Sequence, residues 1–120
     1  MIDLQKKSPK LLVIGDLIID HYLWGKCERI SPEAPVQIVN VEKENIVLGG
    51  AGNVVNNLKA LGTEVDVISV VGDCKNSDAM KGLLDDIEVD TKYLVTQRNR
   101  MTSKKSRIRK STNSLCKFFK

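Results

Sequence analysis

Three short runs rich in aliphatic and β-branched residues alternate with two stretches of helical periodicity, and this order restricts the chain to few folds. The runs are Lys10 to Ile14, Val65 to Val71 and Tyr93 to Thr96. Between them, Gly52 to Leu61 carries Val54, Val55, Leu58 and Leu61 on one helical stripe, with Gly62 set for the C-cap, and Ser77 to Ile87 carries Met80, Leu83, Leu84 and Ile87. Asn76 or Ser77 is the expected N-cap of the second helix. Strand, helix, strand, helix, strand implies parallel pairing through right-handed crossovers, hence an α/β fold with a mainly parallel sheet and flanking helices. Lys-Leu-Leu-Val-Ile is continuous rather than alternating, the pattern of a strand buried on both faces.

The intervening chain reads differently. Gly25, Ser31-Pro32 and Ala34-Pro35 predict irregular chain from Asp20 to Ala34, and Val36, Ile38, Val39 and Val41 predict a strand over Pro35 to Val41 with apolar side chains on both faces. One of those faces is free to cover a ligand or meet a partner. Thr102 to Ile108 fits one more strand, whereas Arg109 to Lys120 has no apolar periodicity and reads as a disordered basic tail.

The net charge of +4 is unevenly distributed. Residues 98–120 hold nine Lys/Arg and no acid, so the remainder is acidic by five charges, and the basic balance is no argument that the body binds nucleic acid. No apolar run approaches 18 residues and the start lacks signal-peptide character, so neither a membrane partner nor export is expected and the cytoplasm is the default. Cys27, Cys74 and Cys116 are widely spaced without a Cys-x-x-Cys pair, and read as reduced thiols rather than a zinc or disulfide framework.

The chemistry-bearing residues lie at two loop positions. Gly49-Gly50-Ala51-Gly52-Asn53 marks a loop turning into a helix, where glycines let the backbone approach a bound group and unpaired N–H groups suit ligand oxygens. It fails the dinucleotide fingerprint, because Val55 stands where the third small residue is required, and the chain holds no P-loop and no Gly-x-Ser-x-Gly. Asp16 and Asp20 follow the first strand, whose C-terminal end opens on the usual ligand crevice of α/β sheets, and paired carboxylates there suit sugar hydroxyls. A turn-capping Asp16, a solvated Asp20 and a structural first-turn Asn53 are the competing readings.

Ile14 to Tyr22, Arg29-Ile30-Ser31-Pro32-Glu33-Ala34-Pro35-Val36 and Leu48 to Asn53 together resemble the N-terminal portion of ribokinase-type (PfkB) carbohydrate kinases. The Arg29 to Val36 segment resembles the bacterial heptose 7-phosphate kinase branch, including the kinase half of the bifunctional heptose kinase and adenylyltransferase. The resemblance covers about residues 9–108, and residues 1–108 are expected to form the N-terminal portion of a ribokinase-like domain, followed by an aberrant tail at 109–120.

That resemblance implies that Asp16 and Asp20 bind sugar hydroxyls, that Gly49, Gly50 and Asn53 line the sugar's other edge, and that Lys104, Lys105 and Arg107 meet the phosphate already on the sugar. Residues 34–48 would form a small β lid through which the full-length family dimerises. ATP and Mg2+ serve the full-length family, with transfer to the C1 hydroxyl of heptose 7-phosphate on the way to ADP-heptose and lipopolysaccharide core. The family's downstream Gly-Ala-Gly-Asp motif, which carries the catalytic base, has no counterpart here. Hence no catalytic residue is assigned, no nucleotide is expected to bind, and the 120 residues alone are expected to be inactive. A sheet ending after so few strands is also expected to leave apolar surface uncovered. The alternative reading is a non-enzymatic dimerising module whose basic tail contacts polyanions.

Overall fold

The computed structural model describes residues 8–111. Its elements are β1 (Lys10–Ile14), β2 (Leu17–Ile30), β3 (Gln37–Gly50), α1 (Ala51–Ala60), β4 (Glu64–Gly72), α2 (Lys75–Asp86), β5 (Leu94–Gln97) and β6 (Lys104–Lys110). They divide into two compact units, one made of residues 8–19 and 47–105 and the other of residues 20–46 and 106–111.

The first unit carries the expected parallel sheet, in the order β1-β4-β5. Lys10 to Ile14 pair in parallel with Glu64 to Ile68, and Ser69 to Gly72 with Leu94 to Gln97. Paired residues of parallel strands share a face, so register decides what is buried. Val65, Val67, Ser69 and Val71 of β4 are buried, and the core closes around Val55 of α1 and Met80 and Leu84 of α2, all three fully inaccessible. Each such side chain contributes about 1.5–3 kcal/mol on burial. Helix α1 packs on β1 and β4, and α2 on β4.

Three expectations for this unit are corrected. Strand β1 is not buried on both faces: Leu12 is 55% and Ile14 72% exposed, since β1 is an edge strand with one face uncovered. The α1 stripe rotates to bury Gly52 and Val55, leaving Val54 and Leu61 exposed, and Gly62 follows at φ +84 as a C-terminal glycine should. The N-cap of α2 is Cys74, with no capping side-chain bond. Ser77 is instead withdrawn into the interior, where its hydroxyl donates to the Gly72 carbonyl and lies 2.6 Å from the Thr102 hydroxyl.

The second unit is built on the sheet β3-β2-β6. Here the irregular chain expected from Asp20 to Ala34 is overturned, because β2 runs unbroken to Ile30. Gly25 is buried within it, and a Cβ there would stand 2.5 Å from the Asn40 carbonyl oxygen. This glycine permits close approach of β3 rather than a loop. Only the prolines kept their meaning, since Pro32 and Pro35 sit in the turn closed by the Ser31 N–H donating to the Val36 carbonyl at 2.8 Å. Strand β3 likewise extends well beyond Val41.

Strand β6 runs through Arg109 and Lys110, two residues expected in the unstructured tail, and the Ser111 N–H donates to the Gly25 carbonyl. The rest of the expected tail lies outside the described residues. The expectation of reduced cysteines holds for Cys74, which is free, and fails for Cys27, which is disulfide-bonded. No helix among the described residues is long and apolar enough to cross a membrane.

Candidate functional site

In the first unit, one backbone contact ties the loop holding Asp16 to the start of α1, beside Gly49 and Gly50. β3 passes directly into α1 at Gly50, which adopts φ +58 and ψ −131. That conformation is strained for any residue with a Cβ, and a Cβ at Gly50 would also stand 2.7 Å from the Asp16 carbonyl oxygen and 3.2 Å from the Ile18 side chain. The same Asp16 carbonyl accepts the Ala51 N–H at 2.9 Å, so the loop after β1 is pinned to the first residue of α1. Gly49 is buried, whereas Gly50 and Asn53 are exposed. No side chain caps α1, and the dipole at this helix end favours a polar or anionic group. The Asp16 carboxylate is 85% exposed, with Arg100 Nη2 at 3.9 Å.

In the second unit, strand alternation brings Asp20, Tyr22 and Trp24 to one face of β2 and Arg107 and Arg109 to one face of β6. Arg107 Nη1 donates to Asp20 Oδ1 at 2.9 Å and lies 3.4 Å from the Tyr22 hydroxyl. The Tyr22 ring is covered by both guanidinium groups, at 5.7 Å for Arg107 and 5.0 Å for Arg109, and packs at 5.8 Å on Trp24. Asp20, expected to meet hydroxyls, and Arg107, expected to meet phosphate, thus pair with each other.

Lys104 is exposed on β6, and three positions along one strand put it on the opposite strand face from Arg107. The two cations are not brought to one point. Lys105 shares the parity of Arg107 and is also exposed.

On the other side of β2, His21 is held between Ser106 Oγ through Nδ1 and Glu44 Oε2 through Nε2, both at 3.0 Å. Further along β2, Lys26 pairs with Glu42 at 3.0 Å, which raises the lysine pKa and lowers that of the carboxyl. A depression of about 380 Å³ is lined by Trp24, Glu42, Lys43, Lys110 and Ser111. Among the described residues no group of three or more His, Cys, Asp or Glu is disposed to hold a metal ion.

Sequence reasoning missed Tyr22, Arg100 and Thr102. Tyr22 was detectable as the period-two neighbour of Asp20 once β2 is a strand. Thr102, which accepts the Gly72 N–H at 2.9 Å, had no local signal, because its partners lie far away in sequence.

Comparison with known proteins bears on the family of the chain. The pfkB family carbohydrate kinase model matches residues 8–118, running past Ile108, where the resemblance was expected to stop. The Bifunctional protein HldE of Aliarcobacter butzleri is 60% identical over 93% of this chain and 24% of its own length, and that of Sulfurimonas denitrificans 54% identical over 98% and 24%. The chain therefore spans about a quarter of the curated relatives it matches. Among solved structures, a carbohydrate kinase from Agrobacterium tumefaciens shares the fold at TM-score 0.63 and 24% identity, over 85% of this chain and 32% of that one. An Arabidopsis thaliana ribokinase complexed with ribose and ATP does so at TM-score 0.65 and 18% identity, over 88% and 34%. With a parallel ribokinase-like sheet and a family match over nearly its whole length, this chain belongs to the pfkB family of carbohydrate kinases.

Proposed function

We propose that this chain is the sugar-binding portion of an ATP-dependent heptose 7-phosphate kinase, acting on the C1 hydroxyl in the supply of ADP-heptose for lipopolysaccharide core. The observation that carries the reading is the Gly50 junction, where the Asp16 carbonyl holds the start of α1 and leaves the Asp16 carboxylate and the uncapped first turn exposed. An exposed carboxylate accepts from sugar hydroxyls, while helix N–H groups and the Asn53 amide donate to sugar oxygens. Identity of 60% and 54% to the HldE relatives supports the heptose branch, as does the Arg29 to Val36 segment.

In the second unit, Asp20 and Arg107 are the substrate residues of the family pattern. Arg107 supplies charge-assisted bonds to the sugar's phosphate, and its release of Asp20 frees that carboxylate for a hydroxyl. Lys104 is the second cation of the family pattern, though strand alternation favours Arg107 and Lys105 as the pair that acts together. Residues 34–48 act within a β lid that dimerises in the longer protein, and the protein works in the cytoplasm. ATP brings the transferable phosphoryl group. Its site and the catalytic base belong to the part of the relatives that these 120 residues do not span, so this chain binds sugar phosphate without turning over ATP.

The test is calorimetric titration of the purified chain with heptose 7-phosphate in the absence of nucleotide. Saturable binding weakened by Asp16→Asn is expected. Binding of polyanions such as heparin with no response to the sugar phosphate would instead favour the non-enzymatic module.

A further inference from the structure

Apolar packing does little to align β6 with β2. Strand β6 lies at the edge of the sheet β3-β2-β6, and of its residues only Arg107 is even half-buried. Register is strongly specified where one face of a strand is buried and weakly where neither is, because backbone ladder bonds can be made in more than one alignment. Side chains must then choose among the alignments. Two links between β2 and β6 do so, one on each face. Asp20 pairs with Arg107 on one face, and on the other the next residue of β2 meets the preceding residue of β6, with His21 Nδ1 at 3.0 Å from Ser106 Oγ. The His21 side chain is 11% exposed and is anchored from β3 as well, its Nε2 standing 3.0 Å from Glu44 Oε2. A carboxylate only accepts, so Nε2 donates to Glu44, and Nδ1 of the neutral ring is left to accept the Ser106 hydroxyl proton. His21 thereby ties the middle strand to both of its neighbours.

The first of these links has to open when Arg107 turns to a phosphate, and the second does not. We propose that His21 is a positioning residue for Arg107: through Ser106 it holds β6 in register with β2 while the Asp20–Arg107 pair is open. A slip of one residue would turn Arg107 to the opposite face, away from Asp20. The assignment rests on the sugar-phosphate reading of Asp20 and Arg107, and it requires no contact between His21 and the ligand.

Hydrogen exchange of the full 120-residue chain tests the clamp without sugar, because Asp20→Ala opens the first link permanently. The β6 amides that are protected in the parent should exchange within about twofold of the parent rate in Asp20→Ala, and at least about tenfold faster when Ser106→Ala is added. A double variant that exchanges no faster than Asp20→Ala overturns the proposal. Calorimetry with heptose 7-phosphate and with unphosphorylated heptose then reads the effect on Arg107. His21→Ala should lower the preference for the phosphorylated sugar about fivefold, the loss of one net hydrogen bond. His21→Asn, whose amide stands where Nδ1 stood and keeps Ser106 bonded, should retain that preference. An undiminished preference in His21→Ala, or an equal loss of affinity for both sugars, overturns the positioning role. A parent chain that binds neither sugar removes the sugar reading, while the exchange rates still decide whether His21 and Ser106 hold β6.

Discussion

Arg107 Nη1 sits 2.9 Å from Asp20 Oδ1, joining two side chains 87 residues apart on neighbouring strands of one sheet. The side chains are 39% and 21% exposed, so the pair is partly open to solvent and adds at most about 1 kcal/mol to stability. Under the proposed function, the pair presets a cation and a carboxylate for a ligand that carries both phosphate and hydroxyl groups. Arg107→Ala should therefore change the denaturation midpoint little while lowering heptose phosphate affinity by about 1.5–3 kcal/mol, the range for hydrogen bonds to charged groups. Equal affinity of variant and parent in calorimetry would remove Arg107 from the site.

Gly50→Ala addresses the Asp16 junction. Its positive φ and the 2.7 Å approach of a new Cβ to the Asp16 carbonyl predict destabilisation of at least about 1–3 kcal/mol, with sugar binding lost in parallel. Urea denaturation measures the first quantity. Gly82→Ala, in the middle of α2 with nothing within 4 Å of a new Cβ, should instead be neutral or stabilise by up to about 1 kcal/mol.

The buried Ser77–Thr102 contact should matter for folding rather than for binding. Thr102→Val leaves the Gly72 N–H without its acceptor in a place closed to water, at a cost of about 1–3 kcal/mol. Unfolding curves of the variant that overlay those of the parent would contradict this.

Cys74 gives a pH signature. Hydrogen bonding from the Ser77 hydroxyl, then from backbone N–H groups of Thr102 and Ser77, holds its thiol down at about 7. The folded chain then releases this proton before the unfolded one does, so the group's contribution to stability grows as pH rises above about 7 and fades as pH falls through it. Iodoacetamide alkylation rates with a midpoint near 7 are expected, and a midpoint near 9 in the folded protein would refute the assignment.

Much of this was legible in the sequence because it depends on local pattern. The strands at Lys10, Val65 and Tyr93 and both helices formed within a few residues of their expected positions, since periodicity and end signals agree there. Strand β2 was not legible, because Gly25 looks like a breaker until Asn40 is seen pressing against it from β3. The exposure of Ile14 was equally hidden: a strand buried on both faces and one awaiting its second cover have the same sequence. Of the candidate site residues, Asp16 and the glycines stand out in the sequence through motif and turn chemistry. The Asp20–Arg107 pairing was not, since no local rule links positions so far apart.

The central claim is that these residues bind a sugar phosphate without transferring phosphoryl groups. Calorimetric titration of the purified chain with heptose 7-phosphate, run alongside an ADP-release assay with ATP and Mg2+, tests it directly. The account predicts saturable 1:1 binding that Asp16→Asn weakens at least tenfold, with no ADP formed. A folded chain that shows no saturable binding, or one that releases ADP in a sugar-dependent manner, would contradict it.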